Sequence, residues 1–362
     1  MITRPWLDVP GPVRPGEEID EGQLRVYLST VLPQFRDQQL RVQQFPSGYS
    51  NLTYLIQAGG ESMILRRPPV GVKIETAHDM GREFKILSAL HPAYGKVPEP
   101  LVFCSDLSVI GSPFYLMERV EGMILRRDIN PAAVPSPELT SDIAHSLVDT
   151  LAELHGVDWD AAGLSGLGRP EGYTERQIAG WTKRYGLSET DMIPKAQRVA
   201  NWLANNIPPP QPTSLIHNDF KHDNVVLDSS DCSKVIAVLD WEMATLGDPL
   251  MDLGTFLAYW IEPTDSPELI ESRLTPTTLP GTPTRIEIAQ RYMRATGQPQ
   301  ENIVFYYAYG LFKVAVIVQQ LYSRYANGRT SDPRYARLIN GVNALFGTAW
   351  RAIDRGRIDD LA

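Results

Sequence analysis

Apolar positions change their spacing partway along this chain, and the change divides it. Leu24, Leu28 and Leu32 recur every four residues and predict a short leading helix. Arg41–Phe45, Leu52–Ala58 and Met63–Arg66 are then short segments of β-type composition, with Gly59-Gly60 as a two-residue hairpin signal between the last two. Phe84, Leu87 and Leu90 share one face of a predicted helix over 77–90, and Pro100–Cys104 and Pro113–Arg119 add two strands. The order β-β-β-α-β-β predicts a small, mostly antiparallel unit. Beyond Gly122 the helical period dominates. Ile143, Leu147, Leu151 and Leu154 form a stripe that stops at Gly156, Ile178, Trp181 and Tyr185 form another, and longer ones run from Val304 to Leu321 and from Tyr335 to Leu345. Such stripes are core packing. Glu262–Thr284, rich in Pro, Thr and Ser, predicts an irregular loop, and the proline-rich Met1–Ile19 an extension.

Composition narrows the picture. A chain of 362 residues exceeds one ordinary core and suggests two lobes. Its formal net charge of -9 argues against a general nucleic-acid binder. Cys104 and Cys232 are its two cysteines, too few for a disulfide framework. No cationic start leads into an apolar run, so the reading predicts no signal peptide and a cytoplasmic protein. Val304–Tyr322 is apolar but broken by Lys313 and two glutamines, which predicts a buried helix and no membrane span.

Chemistry concentrates between Leu215 and Gly254. The run L-I-H-N-D-F-K-H-D-N-V-V-L-D is followed by K-V-I-A-V-L-D-W-E. Val225–Leu227 and Val235–Leu239 flank a polar turn, Asp228–Ser233, and predict a hairpin. Asn224 and Asp240 are equally far from Cys232 in that turn, so antiparallel pairing brings them to one end. Asp219, on the preceding loop, can reach the same place. An amide oxygen and a carboxylate suit Mg²⁺, and a second carboxylate can take a hydroxyl proton, which is the inventory of phosphoryl transfer. Asp and Asn also cap ordinary turns, and a lone H-x-D-x-x-x-x-N arises by chance in roughly 1–2% of chains this long. The added hairpin ending in Asp240 makes coincidence a poor explanation.

His217-x-Asp219, Asn224 and Leu239-Asp240-Trp241-Glu242 together resemble the signature of the aminoglycoside phosphotransferase-like kinases. The likeness runs from about Phe45 to Leu345. L-R-R-P-P at 65–69, A-H-D-M-G-R-E-F at 77–84, F-Y-L-M-E-R-V-E-G at 114–122 and G-D-P-L-M-D-L-G at 247–254 resemble the branch fused to acyl-CoA dehydrogenases. The resemblance implies an α+β, protein-kinase-like fold with a small antiparallel β lobe and a larger helical lobe. It places a nucleotide-binding lobe at 20–117, a hinge at 118–122 and a helical lobe at 123–362. It implies ATP and Mg²⁺ as cofactors, Asp219 as catalytic base, Asn224 and Asp240 as metal ligands, and His217 and Asp252 as structural supports. Asp248 is implied to be structural too.

Nucleotide contacts follow from the same resemblance. Ser47, Gly48, Tyr49, Ser50 and Asn51 form the turn between the first two strands, where small residues let backbone N–H groups approach phosphates. The usual strand lysine is replaced by Arg66, with Glu83 as its candidate partner. A surface ion pair is the plainer alternative. Glu118 and Val120 would bound a hinge whose backbone reads the adenine edge, and Lys73 is a weaker phosphate candidate.

Only about a dozen residues separate Asp240 from Asp252, too few for a protein kinase's activation segment, so the expected acceptor is the hydroxyl of a small molecule. From Glu301 onward, bases outnumber acids, which suits a neutral or anionic acceptor better than a polycation. The resemblance adds a hydroxyacyl compound as a candidate. An antibiotic-resistance kinase and a non-catalytic nucleotide-binding module remain as alternatives. The expected acceptor wall is Tyr259, Trp260 and the Glu262–Thr284 loop.

Overall fold

In the computed structural model, the described residues are 6, 8–36, 38–46, 51–69, 79–298, 301–330 and 332–362. Ser47, Gly48, Tyr49, Ser50 and Lys73 lie outside them.

The first lobe is a five-stranded antiparallel sheet built from β1 (Arg41–Gln44), β2 (Leu52–Ala58), β3 (Glu61–Arg67), β4 (Pro100–Cys104) and β5 (Phe114–Glu118), in the order β1-β2-β3-β5-β4. Gly59 and Gly60 both have positive φ, 58° and 88°, which only glycine adopts cheaply in the tight β2–β3 turn. The two-residue period of the strands sorts the side chains. Tyr54, Ile56, Leu65, Phe114 and Leu116 face outward onto α1 (Glu21–Val31), through its Leu24 and Leu28. Leu55, Ile64, Tyr115 and Met117 face the other way, onto α2 (Met80–Tyr94) and the rest of the protein. Leu32 lies just past the end of α1, and α2 starts at its Asp79 cap, whose side chain accepts from the Arg82 N–H at 3.0 Å. A single helical turn, α3 (Leu107–Ile110), joins β4 to β5 and has no stripe to announce it. The described part of the N-terminal extension is not patternless in space. Gly11 and Gln44 exchange both backbone hydrogen bonds, which covers the outer edge of β1.

The second lobe is mainly helical: α4 (Pro137–His155), α5 (Tyr173–Ser188), α6 (Pro194–Asn205), α7 (Pro249–Tyr259), α8 (Pro267–Glu271), α9 (Arg285–Thr296), α10 (Ile303–Ala326) and α11 (Leu338–Arg355). The predicted α4 and α5 stripes are buried faces, and that of α10 is buried at Tyr307, Leu311 and Val314 but half-buried at Val304, Val318 and Leu321, whereas Tyr335 belongs to a separate 3₁₀ turn before α11. The expected irregular loop contains α8. Two short strand pairs, β6 (Ser214–Ile216) with β9 (Thr245–Gly247) and β7 (Val225–Leu227) with β8 (Val235–Val238), carry the H-x-D and L-D-W-E segments. Helix α10 is long and apolar enough to cross a membrane, but 78% of its most apolar window is buried in the protein.

Helices α7 and α10 touch backbone to backbone. A Cβ on Gly254 would lie 2.0 Å from the Tyr306 carbonyl oxygen, and one on Gly310 would lie 2.0 Å from that of Gly254. This close crossing sets how deep α7 sits beneath the β6 loop.

Candidate active site

The β7–β8 hairpin forms with one departure from even counting. A bulge opposite Val226 and Leu227 moves the pairing by one residue, so the Leu239 N–H donates to the Asn224 carbonyl at 2.8 Å. Asp240 follows, with φ of 67°. Asn218, on the other side of the site, has φ of 68°. Non-glycine residues tolerate this region poorly, and Asn and Asp tolerate it best. Both are therefore held by their surroundings.

The supports of the H-x-D loop are explicit. Asp252, fully buried on α7, accepts from the His217 N–H at 2.7 Å and the Asn218 N–H at 2.8 Å, and His155 Nε2 lies 3.1 Å away. Burial favours its neutral form, but the hydrogen bond and charge of His155, with His217 and Lys313, hold its pKa below the usual carboxylate range. His217 Nδ1 accepts from the Asp219 N–H at 3.2 Å, so its Nε2 donates to the Leu239 carbonyl at 2.9 Å. Burial lowers its pKa, which keeps the ring neutral in this bridging role. Asp248 caps α7 through the Leu250 N–H at 2.8 Å.

Asp219 is the centre of the cluster. Its Oδ1 accepts from the Tyr259 hydroxyl at 2.6 Å, and its Oδ2 accepts from Asn224 Nδ2 at 3.0 Å and pairs with Lys221. Asn224 Nδ2 also donates to the Asp219 carbonyl at 2.8 Å. Holding the amide nitrogen this way turns the Asn224 oxygen away from Asp219, where it can serve a hard cation. Lys221 is mostly buried beside the Tyr259 ring, 5.2 Å from its centroid. Burial opposes its charge, but Asp219, then Asp240 and Asp223, hold its pKa above the ordinary lysine value.

Arg66 and Glu83 meet in the interior, not on the surface. Arg66 Nη1 donates to Glu83 at 2.7 Å and Nη2 to Asp240 Oδ1 at 2.8 Å. Glu83 Oε1 also accepts from the Trp241 N–H at 3.2 Å. Burial would raise the Asp240 pKa, yet Arg66, with Lys221 and His217, brings it below the usual carboxylate value. Asn51 is buried and donates to Glu242 at 2.7 Å, so its side chain faces the segment after Asp240. Glu118 ends β5, and its carboxylate accepts from the Glu99 N–H at 3.2 Å; Val120 follows, half-buried, on the way to the second lobe. Among the described residues no three His, Cys, Asp or Glu side chains converge as a metal cluster. One carboxylate and one amide do not require such a cluster, because Mg²⁺ keeps several waters.

Two residues of the site, Lys221 and Lys313, were not assigned there from the sequence. Lys221 had a visible signal, a cation two residues after Asp219. Tyr259 was expected on the acceptor wall, and its hydroxyl donates to Asp219. Lys313 read only as an interruption in an apolar helix. It is fully buried, and its ammonium donates to the Asn218 carbonyl at 2.5 Å and to Asn218 Oδ1 at 3.1 Å.

A small antiparallel lobe set on a helical lobe, with these carboxylates between them, defines a kinase-like phosphotransferase fold. The chain belongs to the phosphotransferase enzyme family, whose members' pattern matches residues 41–285. Acyl-CoA dehydrogenase family member 11 of Homo sapiens is 38% identical over 342 residues, covering 93% of this chain and 43% of that protein. The chain thus spans less than half the length of that curated relative. A Ralstonia eutropha structure provisionally named an aminoglycoside phosphotransferase has TM-score 0.76 and 30% identity, covering 93% of this chain and 99% of that one. A thermostable aminoglycoside phosphotransferase APH(4)-Ia, in ternary complex with AMP-PNP and hygromycin B, shares the fold at TM-score 0.55 and 15% identity, covering 89% and 98% of the two chains.

Proposed function

We propose that this protein transfers the γ-phosphoryl group of ATP to a hydroxyl of a small molecule. The observation that carries the reading is Asp219, whose carboxylate is fixed by Tyr259, Asn224 and Lys221, a lysine that also feels the charge of Asp240. In this reading Asp219 accepts the acceptor's proton. Asn224 and Asp240 hold Mg²⁺, which would neutralise charge on the phosphates. Arg66, oriented by Glu83, meets the phosphates, and Lys221 adds positive charge where the transferred group acquires negative charge. Glu118 and Val120 bound the hinge. The stretch between Asp240 and α7 holds only a 3₁₀ turn and β9, which leaves no long segment to hold a peptide. A hydroxyacyl compound is the favoured acceptor, on the likeness to acyl-CoA dehydrogenase family members and on the basic balance after Glu301.

The test is ADP release, coupled to a dehydrogenase readout, over hydroxyacyl thioesters, choline, sugars, macrolides and aminoglycosides. The expected result is Mg²⁺-dependent turnover of at least one neutral or anionic acceptor. Asp219→Asn should lower kcat by about 10²–10⁴-fold with nucleotide affinity nearly unchanged. A variant that keeps half the wild-type rate in single-turnover chemistry removes Asp219 from the role of base. Turnover confined to aminoglycosides would favour a resistance kinase instead.

A further inference from the structure

Behind the catalytic loop lies a small cavity that the proposed chemistry does not use. It is lined by Leu125, by Thr140 of α4, by His222 of the loop, by Trp260 just after α7, and by Leu279 and Thr282 of the segment before α9. Its volume is about 10 Å³, room for the centre of one water molecule. The walls are mostly apolar, yet three polar groups on them have no hydrogen-bond partner among the described residues. The Thr140 and Thr282 hydroxyl oxygens are buried without a hydrogen bond. The His222 ring is 6% exposed, lies against Trp260 with centroids 5.4 Å apart, and makes no side-chain hydrogen bond among the described residues. Most buried polar groups are satisfied, and leaving one unsatisfied costs about 1–3 kcal/mol. Two such hydroxyls, with the His222 ring beside them, are a prepared set of contacts on one cavity.

The position of the cavity matters as much as its chemistry. His222 lies in the loop between Asp219 and Asn224. Thr282 and Leu279 lie in a segment fixed to α7's exit: Thr275 donates to the Tyr259 carbonyl at 2.6 Å, and Trp260 Nε1 to the Pro283 carbonyl at 2.8 Å. The cavity is therefore built by the same elements that would face an acceptor. Among the described residues no carboxylate, lysine or arginine lines it. Neither an ammonium nor a carboxylate would find a countercharge there, and burying an unpaired charge is costly.

We infer that this cavity is a recognition subsite for the acceptor, taking one neutral oxygen, a carbonyl or second hydroxyl, on a short arm with an apolar flank. Thr140, Thr282 and His222 supply donors and acceptors to that oxygen, and Leu125 and Leu279 contact the arm's carbon atoms. This rests on the phosphotransferase reading and adds a selection rule to it: polycationic acceptors do not use this contact.

The rule can be tested on the whole chain by NMR with ¹⁵N-labelled histidine, using methanol and formamide as neutral probes and ammonium and formate as charged probes of similar size. The neutral probes should move the His222 ring resonances saturably, and the charged ones should not. Thr140→Val and Thr282→Val, which keep shape and remove the hydroxyl, should weaken that response. In ADP-release assays each should raise the KM of a phosphorylated acceptor about tenfold, as for one lost hydrogen bond, with the KM for ATP within about twofold. A single bound water that no probe displaces, with both variants changing only the melting temperature, overturns the subsite. Turnover of an acceptor without any His222 response or KM change also overturns it and leaves phosphotransfer standing. Saturable neutral-probe binding with no turnover of any acceptor supports a ligand site and counts against the phosphotransferase reading.

Discussion

At the residue scale, the site depends on buried charges placed under the loop rather than in the cleft. Lys313 is the sharpest case. Burial pulls its pKa down to about 8 from the ordinary 10.5, against the opposing attraction of Asp252 and Asp219. Below pH 8 the folded protein keeps a buried ammonium. Between pH 8 and 10.5 the unfolded chain still binds a proton that the folded protein has released, so stability rises with pH across that window. The difference corresponds to about 3 kcal/mol. Urea unfolding from pH 7.5 to 10.5 should show this rise in wild type and its loss in Lys313→Met. Equal slopes in the two proteins would mean that Lys313 does not titrate there. The same residue explains why the left-handed Asn218 is tolerated, since Lys313, Asp252, Tyr173 and the Met243 carbonyl all hold it.

At the element scale, the H-x-D loop takes its position from α7, and α7 takes its position from α10. The two helices approach so closely at Gly254 and Gly310 that neither has room for a methyl group. Gly254→Ala should force them apart, at a cost of about 3 kcal/mol or more. It should also lower kcat, because Asp252 moves with α7 and releases the His217 and Asn218 N–H groups. Thermal unfolding and turnover measured on the same preparation check this. Wild-type values for both would show that the crossing can relax without moving the loop. Helices α6 and α9 carry readable end signals, Pro194 at the first and the Thr284/Glu287 capping box at the second. Their existence was within reach of local reasoning. Helix α7 was not readable by stripe, because all its residues are buried and no polar face marks a period.

At the scale of the whole molecule, the lobes meet on the segment after β8. Arg66 bonds Asp240, Asn51 bonds Glu242, and Arg82 of α2 donates to the Glu242 carbonyl at 2.9 Å and the Ala244 carbonyl at 2.5 Å. Asp240 therefore belongs both to the proposed metal site and to the lobe contact, whereas Asn224 belongs to the first alone. Asn224→Ala and Asp240→Asn should each weaken Mg²⁺-dependent nucleotide binding by about tenfold or more, and the double variant should lose less than the product of the two. Without Mg²⁺, Asp240→Asn should weaken the contact between the lobes, whereas Asn224→Ala should lose only its hydrogen bonds to Asp219. Calorimetric titrations with and without Mg²⁺ decide this, and strictly multiplicative losses would rule out a shared ion.

What the sequence determined by itself was local and periodic. The β-type composition of Leu52–Ala58 and Phe114–Glu118, the Gly59-Gly60 turn and the helical stripes depend on neighbours a few residues apart, so the strands, most long helices and the β-β-β-α-β-β order could be read directly, while the kinase-like fold came from the resemblance of the motifs. The hairpin symmetry around Cys232 brought Asn224 and Asp240 to one end, within one residue of the observed register. Tertiary structure decided what long-range contacts control. It alone placed Arg66 on Asp240 across 174 positions, Lys313 under Asn218 across 95, and Tyr259 on Asp219. It alone gathered Thr140, His222 and Thr282 around one cavity. Each of these residues has an ordinary local context, a strand, a helix or a loop. Its role comes from the partner that packing brings to it, and no period in the chain encodes that partner.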